Sequence, residues 1–426
     1  MWRARARGTF REPSQGRQVL DCGDGVCEVT ALVLAARKTP ELAAHTASPT
    51  QSGDSEDSLA AVQDAHAGQE RADGQPSFPL SNVARTRLNL ASNHDRSERM
   101  AEAAHKPVNY VGVDLGGTKI LTGVFDARLR RLGKLKLSTK AERGPAAVLE
   151  RVARGVRDAV DECDLDFKSI KAVGIGAPGA CDSENGRVIF APNLGWENVP
   201  LKEQLEQHLG LPVFLENDCN IATLGVYEVE LQARPRHMIG VFLGTGIGGG
   251  LILEGNLYSG FNRTAGEVGH MIVQAGGPKC ACGNRGCFEA LAGRAALFRK
   301  IQAAVKDGQK TVLTDMIGSE LEDMRSGDLR KAIRRGDQFV EKIVQEAAHY
   351  TGLALGNLIN IFNPEVVVIG GGLIHALEDE MLPIIVKTAF DCAMAGTTKG
   401  IQIVPSKLAD NAGIVGAAVL ARMRTK

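Results

Sequence analysis

Val108-Asn-Tyr-Val-Gly-Val-Asp114-Leu-Gly-Gly-Thr-Lys119 sets an apolar strand, residues 108–113, directly against a pair of glycines. Adjacent glycines let the chain turn tightly and point backbone N–H groups into one concavity, a nest for anionic oxygens. Beside Gly116 and Gly117, Thr118 adds a hydroxyl donor and Lys119 a positive charge, and Asp114 is placed to hold a magnesium ion through water. Residues 121–125 are apolar again and read as the hairpin partner of the first strand. The spacing is neither the GxxxxGKS phosphate loop nor the GxGxxG dinucleotide fingerprint. Taken alone, it is equally a plain hairpin turn.

Downstream, the same grammar recurs. Val148, Leu149, Val152, Val156 and Val160 keep helical spacing and predict a helix over residues 146–163. Short apolar runs predict strands at 172–175, 213–215, 238–243 and 250–253. A long helix is expected over 337–361, a fully buried strand over the β-branched run 366–369, and a small-residue helix over 413–424. Such alternation makes an α/β protein whose site lies at strand ends.

Two more glycine clusters follow strands. Gly244-Thr245-Gly246-Ile-Gly248-Gly249-Gly250 reads as a loop, with an entropy cost that calls for a ligand or a turn. Gly370-Gly371-Gly372 ends the run 366–369. Three such turns suggest a nucleotide cradle, two gripping phosphates and one approaching an adenine. Glu216-Asn217-Asp218 ends another strand. An aspartate there either caps the following helix or orients a hydroxyl and takes its proton late in phosphoryl transfer, since its ordinary pKa near ~4 lies far below an alcohol's.

Cys280-Ala-Cys282-Gly-Asn-Arg-Gly-Cys287 can wrap three thiolates around one ion. Zinc prefers four tetrahedral sulfur or nitrogen ligands, and His270, in Gly266-Glu267-Val-Gly-His270 just upstream, is the natural fourth. Three cysteines and a histidine make a closed structural site on which the folding of the loop depends. Cys163, Cys181, Cys219 and Cys392 read as ordinary buried thiols, and so cysteine-rich a knuckle implies a reducing compartment.

Lys plus Arg equals Asp plus Glu at 50 each, which argues against a polybasic nucleic-acid or membrane-surface protein. No apolar run approaches the ~20 residues that span a bilayer. Residues 1–99 differ from the rest: they hold no Ile, no Tyr, one Lys (Lys38) and eleven Arg. Too little apolar surface is available there to offset ordering entropy, so residues 1–106 are expected to be a disordered extension. A targeting peptide fits less well, because acidic residues interrupt it and no small-residue cleavage site follows 29–36. Translation from Met100 is a further expectation, leaving 1–99 outside the native protein.

As a set, these motifs resemble the ROK family of sugar kinases and sugar-responsive repressors, over about residues 108–426. The resemblance implies an actin-like ATPase (ribonuclease H-like) fold, two α/β lobes around a central cleft. The smaller lobe would be 107–216 plus 408–426, and the larger, 217–407, would carry the zinc knuckle and a dimer surface. It implies ATP contacts from Asp114, Gly116, Gly117, Thr118 and Lys119 in one turn. Gly244, Thr245, Gly246, Gly248 and Gly249 would supply a second, and Gly370, Gly371 and Gly372 the adenosine contact. Asp218 matches the family's catalytic base. Gly179, Asn193, Asn217, Asp218, Glu267, His270 and Glu289 match its sugar site, and His270, Cys280, Cys282 and Cys287 its zinc ligands.

What the resemblance implies is a cytoplasmic, homodimeric hexose kinase using ATP and Mg2+, with structural Zn2+. The sugar 6-hydroxyl would be phosphorylated, on glucose first and on N-acetylglucosamine or N-acetylmannosamine as the alternative. No nucleic-acid or membrane partner is expected. A repressor of the same family is the competing class, although the first 99 residues lack the amphipathic helices of a winged-helix domain.

Overall fold

The computed structural model describes residues 108–425, together with two three-residue strands, Val19–Asp21 and Val26–Glu28, that pair antiparallel. The rest of the proposed extension, and the proposed start at Met100, lie outside the described residues.

From residue 108 the chain builds two five-stranded sheets. In the first, β1 (Asn109–Leu115), β2 (Lys119–Asp126), β3 (Arg131–Ser138), β4 (Ile170–Ala177) and β8 (Val213–Asn217) lie in the order β8-β4-β1-β2-β3. β1, β4 and β8 run parallel, in a register that puts Asp114 and Glu216 on either side of Gly176. Their carboxyl ends therefore share one edge, where ligands of open α/β sheets bind. β2 returns antiparallel through the Gly116–Gly117 turn, as the hairpin pattern predicts, with the Gly116 N–H donating to the Lys119 carbonyl at 2.9 Å.

The predicted first helix is α1 (Pro145–Asp161), started by Pro145, with Val148, Leu149, Val152, Val156 and Val160 all buried. A small antiparallel sheet, β5 (Ala180–Asp182), β6 (Arg187–Ala191) and β7 (Trp196–Val199), leads into α2 (Leu201–Leu209). This sheet and β3 have no counterpart in the sequence pattern. Each is a short edge structure whose residues are only partly buried, so apolar alternation is diluted.

α3 (Asp218–Gly225) leaves the tip of β8 and continues into one π-helical turn, Val226–Glu230. The second sheet comprises β9 (Met238–Leu243), β10 (Ile247–Leu253), β11 (Asn256–Leu257), β12 (Val366–Gly370) and β13 (Gln402–Pro405), ordered β11-β10-β9-β12-β13. Here the sequence expectation needs correction. Only Gly244–Gly246 form a turn; Gly248, Gly249 and Gly250 lie inside β10, paired with β9. They are glycine because neighbours occupy the space a side chain would take. A Cβ on Gly248 would sit 2.4 Å from Cys219 Sγ, and one on Gly250 would sit 2.3 Å from Thr223 Oγ1.

α4 (Phe288–Ala292), α5 (Arg294–Lys306), α6 (Val312–Ile317), α7 (Ser326–Arg334) and the long α8 (Gln338–Phe362) pack on the second sheet, followed by α9 (Gly372–Ala376) and α10 (Glu378–Cys392). α11 (Ala412–Arg424) crosses back to the first sheet. Its backbone lies directly on the strands: a Cβ on Gly112 would meet the Ile414 carbonyl oxygen at 1.9 Å, and one on Gly174 the Ala417 oxygen at 1.9 Å. α3 and α11 meet just as closely at Gly225 and Gly416. This pair of helices joins the two sheets, α3 against β9 and β10, α11 against β1 and β4. Among the described residues, no helix is long and apolar enough to cross a membrane.

Candidate active site

At the tip of β8, Asn217 rather than Asp218 caps α3. Its Oδ1 accepts the N–H groups of Cys219 and Asn220, while its Nδ2 donates to the Gly179 carbonyl at 3.1 Å. Gly179 takes a φ of 83°, and a Cβ there would strike the Phe190 carbonyl oxygen at 2.2 Å. Asn217 and Gly179, both expected at the sugar site, are thus held together. With the cap supplied by its neighbour, Asp218 is released from that duty; among the described residues its Oδ1 accepts only the Cys219 N–H, at 2.8 Å.

Asp114, at the tip of β1 on the far side of β4, lies close enough to act on the charge of Asp218. Burial and then the Asp114 carboxylate push the Asp218 carboxyl up to about 7, against the pull of the Cys219 N–H. Glu267 adds further negative potential. Burial likewise raises Asp114 to about 6, opposed by Lys119 and reinforced by Asp410. Two carboxyl groups raised in this way make a site short of positive charge, and their hard oxygen donors suit Mg2+. Lys119 points toward Asp410, with Nζ 3.6 Å from its carboxylate. Asn193 lies over the first turn, its carbonyl oxygen 2.9 Å from where a Gly117 Cβ would be.

The second and third glycine turns adjoin. β9 and β12 are parallel with Phe242 opposite Gly370, and Gly371, at φ 91°, packs on the Leu243 carbonyl oxygen. Arg294, which the sequence reasoning passed over, stitches them: its guanidinium donates to Thr245 Oγ1 at 2.6 Å and approaches Gly372. No sequence motif marked it, because its role comes only from the start of α5 meeting the Gly244 carbonyl.

Glu289 reaches the second turn, where its Oε2 accepts the Ile247 N–H at 2.9 Å; its Oε1 lies 3.9 Å from Cys280 Sγ. Cys280, Cys282, Cys287 and His270 converge, with all four ligand atoms within 4.8 Å of one another. Cys282 and Cys287 sulfurs are 3.7 Å apart, far beyond a disulfide and close to the edge of roughly 3.8 Å that a zinc tetrahedron with ~2.3 Å bonds requires. His270 Nδ1 is 3.7 Å from Cys280 Sγ, and its Nε2 turns toward Glu267 at 4.0 Å. Burial first and then the two neighbouring sulfurs push the Cys287 thiol up to about 12. Burial and crowding thus favour the neutral thiol at Cys280 and Cys287, a bound cation would favour the thiolates, and the donor set of three sulfurs and one imidazole fits zinc.

The chain matches the ROK family model over residues 110–424. A glucokinase from Thermotoga maritima is 36% identical, the match covering 74% of this chain and 97% of that protein. The crystal structure of a ROK family glucokinase from Streptomyces griseus in complex with glucose and AMPPNP is 34% identical, has a TM-score of 0.66, and covers 74% of this chain and 99% of its own. Relatives at 32% identity include an N-acetyl-D-glucosamine kinase from Vibrio vulnificus, over 73% of this chain and 98% of that protein. Another is a putative xylose repressor from Caldicellulosiruptor sp., over 72% and 76%. Fold and site together define a sugar kinase with the actin-like ATPase fold. The chain belongs to the ROK family.

Proposed function

We propose that this protein transfers the γ-phosphoryl group of ATP to the 6-hydroxyl of glucose, with Asp218 as the base. The observation that carries this reading is the pairing of two half-buried carboxylates, Asp114 and Asp218, at the tips of parallel strands. Asp218 is freed from helix capping by Asn217. It can therefore accept a hydrogen bond from a sugar hydroxyl, align its oxygen for in-line attack, and hold the proton as the bond to phosphorus forms. Its raised pKa brings the proton affinity closer to that of the hydroxyl.

The turn at Gly116–Gly117 and those at Gly244–Gly246 and Gly370–Gly372 offer backbone N–H groups to phosphates and room for a nucleotide, with Arg294 bracing the latter two. Asp114 would hold Mg2+ through water; when bound, that ion neutralises phosphate charge. His270, Cys280, Cys282 and Cys287 would hold zinc, which when bound fixes the loop between Glu267 and Glu289. Both carboxylates, with Asn193, would then order the sugar hydroxyls. In this reading residues 107–216 and 408–426 form the smaller lobe and 217–407 the larger, and the enzyme works as a cytoplasmic dimer.

The Vibrio relative supports an N-acetylhexosamine as the alternative acceptor. ADP release over a panel of hexoses and N-acetylhexosamines, with Asp218→Ala as the blank, tests both: glucose is expected to give the highest kcat/KM. Turnover that survives in Asp218→Ala would defeat the reading. Sequence-specific DNA binding in a gel shift, without turnover, would instead favour the repressor class.

A further inference from the structure

A cavity of about 490 Å3 lies behind the sugar wall, away from Asp218 and Asp114. One side is the strap that runs from His270 to Cys280, represented by Lys279; the others are α4–α5 and α8. Its apolar lining comprises the buried Leu297 and Ile343 together with Leu291, Ala290 and Ala296. Lys279, Arg299 and Lys300 stand at its rim against one carboxylate, Glu346, which Lys300 already engages. Among the described residues, Lys279 and Arg299 have no carboxylate partner. An apolar floor of this size, edged by a few convergent polar groups, is how small-molecule sites are built.

The cavity shares its walls with the active site. Five-residue α4 carries Glu289, which braces the second glycine turn, and Ala290 and Leu291, which line the cavity. α5 begins at Arg294 on Thr245 and continues through the cavity-lining Arg299 and Lys300. The strap is tied to the cysteine knuckle by the Gly286 N–H donating to the Pro278 carbonyl at 2.8 Å. Whatever fills this space bears on both groups that the sugar and phosphate readings assign.

We propose that this cavity is a second, regulatory site for a small organic phosphate ester. Two uncompensated cations match a phosphate dianion, for which a guanidinium offers bidentate donors. The carbon body of the ester would cover the apolar floor. Its presence would shift sugar affinity through α4 and the strap, with less effect on kcat. That coupling rests on the kinase reading; binding itself does not.

The test is calorimetric titration of the full chain with glucose 6-phosphate, 3-phosphoglycerate and inorganic phosphate, with and without AMPPNP plus glucose. One ester should bind once per chain in both conditions with a Kd below ~1 mM, and inorganic phosphate roughly tenfold more weakly, lacking the apolar body. Arg299→Glu should weaken the ester at least roughly tenfold, and Ala296→Phe, which fills the cavity, should abolish binding. Both variants should keep wild-type kcat, while the shift in sugar KM caused by the ester should vanish in Arg299→Glu. Three results would overturn the proposal: no ester bound at 10 mM (roughly the weakest useful affinity), binding lost whenever AMPPNP and glucose are present, or affinity unchanged in both variants. An ester that binds without shifting the sugar KM would overturn the regulatory role. A chain that phosphorylates no sugar yet binds the ester would sink the kinase reading alone.

Discussion

Asp218 sits in an environment that works against its own charge. A carboxyl whose folded pKa is raised is ionised at neutral pH at the expense of stability. The penalty is absent below the ordinary value near 3.8 and grows as pH rises to about 7. Asp218→Asn should therefore raise the melting temperature at pH 8 and leave it nearly unchanged at pH 4; differential scanning calorimetry at the two values would detect it, and a lower melting temperature at pH 8 would contradict it. In the free enzyme, kcat/KM should fall on the acid side with an apparent pKa near 7, well above an unperturbed aspartate. The position of this residue was legible in the sequence, since Glu216-Asn217-Asp218 follows a short apolar run. The division of labour was not. Which of two adjacent polar residues caps α3 depends on how the chain leaves β8, and the pattern of residue types is the same either way. Arg294 was illegible for a related reason: its partners, Thr245 and Gly372, are far away in sequence.

Glycines decide more at the scale of elements than any catalytic motif. Gly112 and Gly174 lie where α11 rests on β1 and β4 at backbone contact. Gly174→Val should destabilise the fold by roughly 3 kcal/mol or more, because the obstructing atom is main chain and cannot swing aside; chemical denaturation measures it, and a loss under about 1 kcal/mol would refute the packing. Sequence periodicity located β1, β4, β9, β12 and α1 because each buries a sustained apolar face. It misplaced the second glycine cluster, since glycines in a strand and glycines in a loop look alike until the neighbours Cys219 and Thr223 are in place. The convergence of Cys280, Cys282, Cys287 and His270 was legible in the sequence, because three cysteines within eight positions and a histidine just upstream leave little chain to separate them. Stripping metal with a chelator, or Cys282→Ser, should raise the sugar KM by roughly tenfold or more and lower the melting temperature, with nucleotide affinity changed by less than about threefold. Full sugar affinity in the metal-free protein would contradict the role given to the knuckle.

Across the whole molecule the chain passes from the first sheet to the second through α3 and returns through residues 406–411, between β13 and α11. Glu230, in the π-helical turn after α3, holds it: its carboxylate accepts the N–H groups of Lys407 and Leu408 and the hydroxyl of Ser406. Such turns often mark functional joints. Glu230→Ala should cost about 2 kcal/mol and broaden thermal unfolding, because several charge-assisted bonds are lost together; an unchanged calorimetric transition would argue against a structural joint here. Closure of the cleft about this joint would bring a hydroxyl held near Asp218 to a phosphate held by bare main chain. The most direct check is single-turnover transfer of labelled γ-phosphate from ATP to glucose, comparing wild type with Asp218→Asn. We expect glucose and nucleotide binding within about threefold of wild type, and transfer slower by ~1,000-fold. A variant that still transfers phosphate at about a tenth of the wild-type rate would contradict the account.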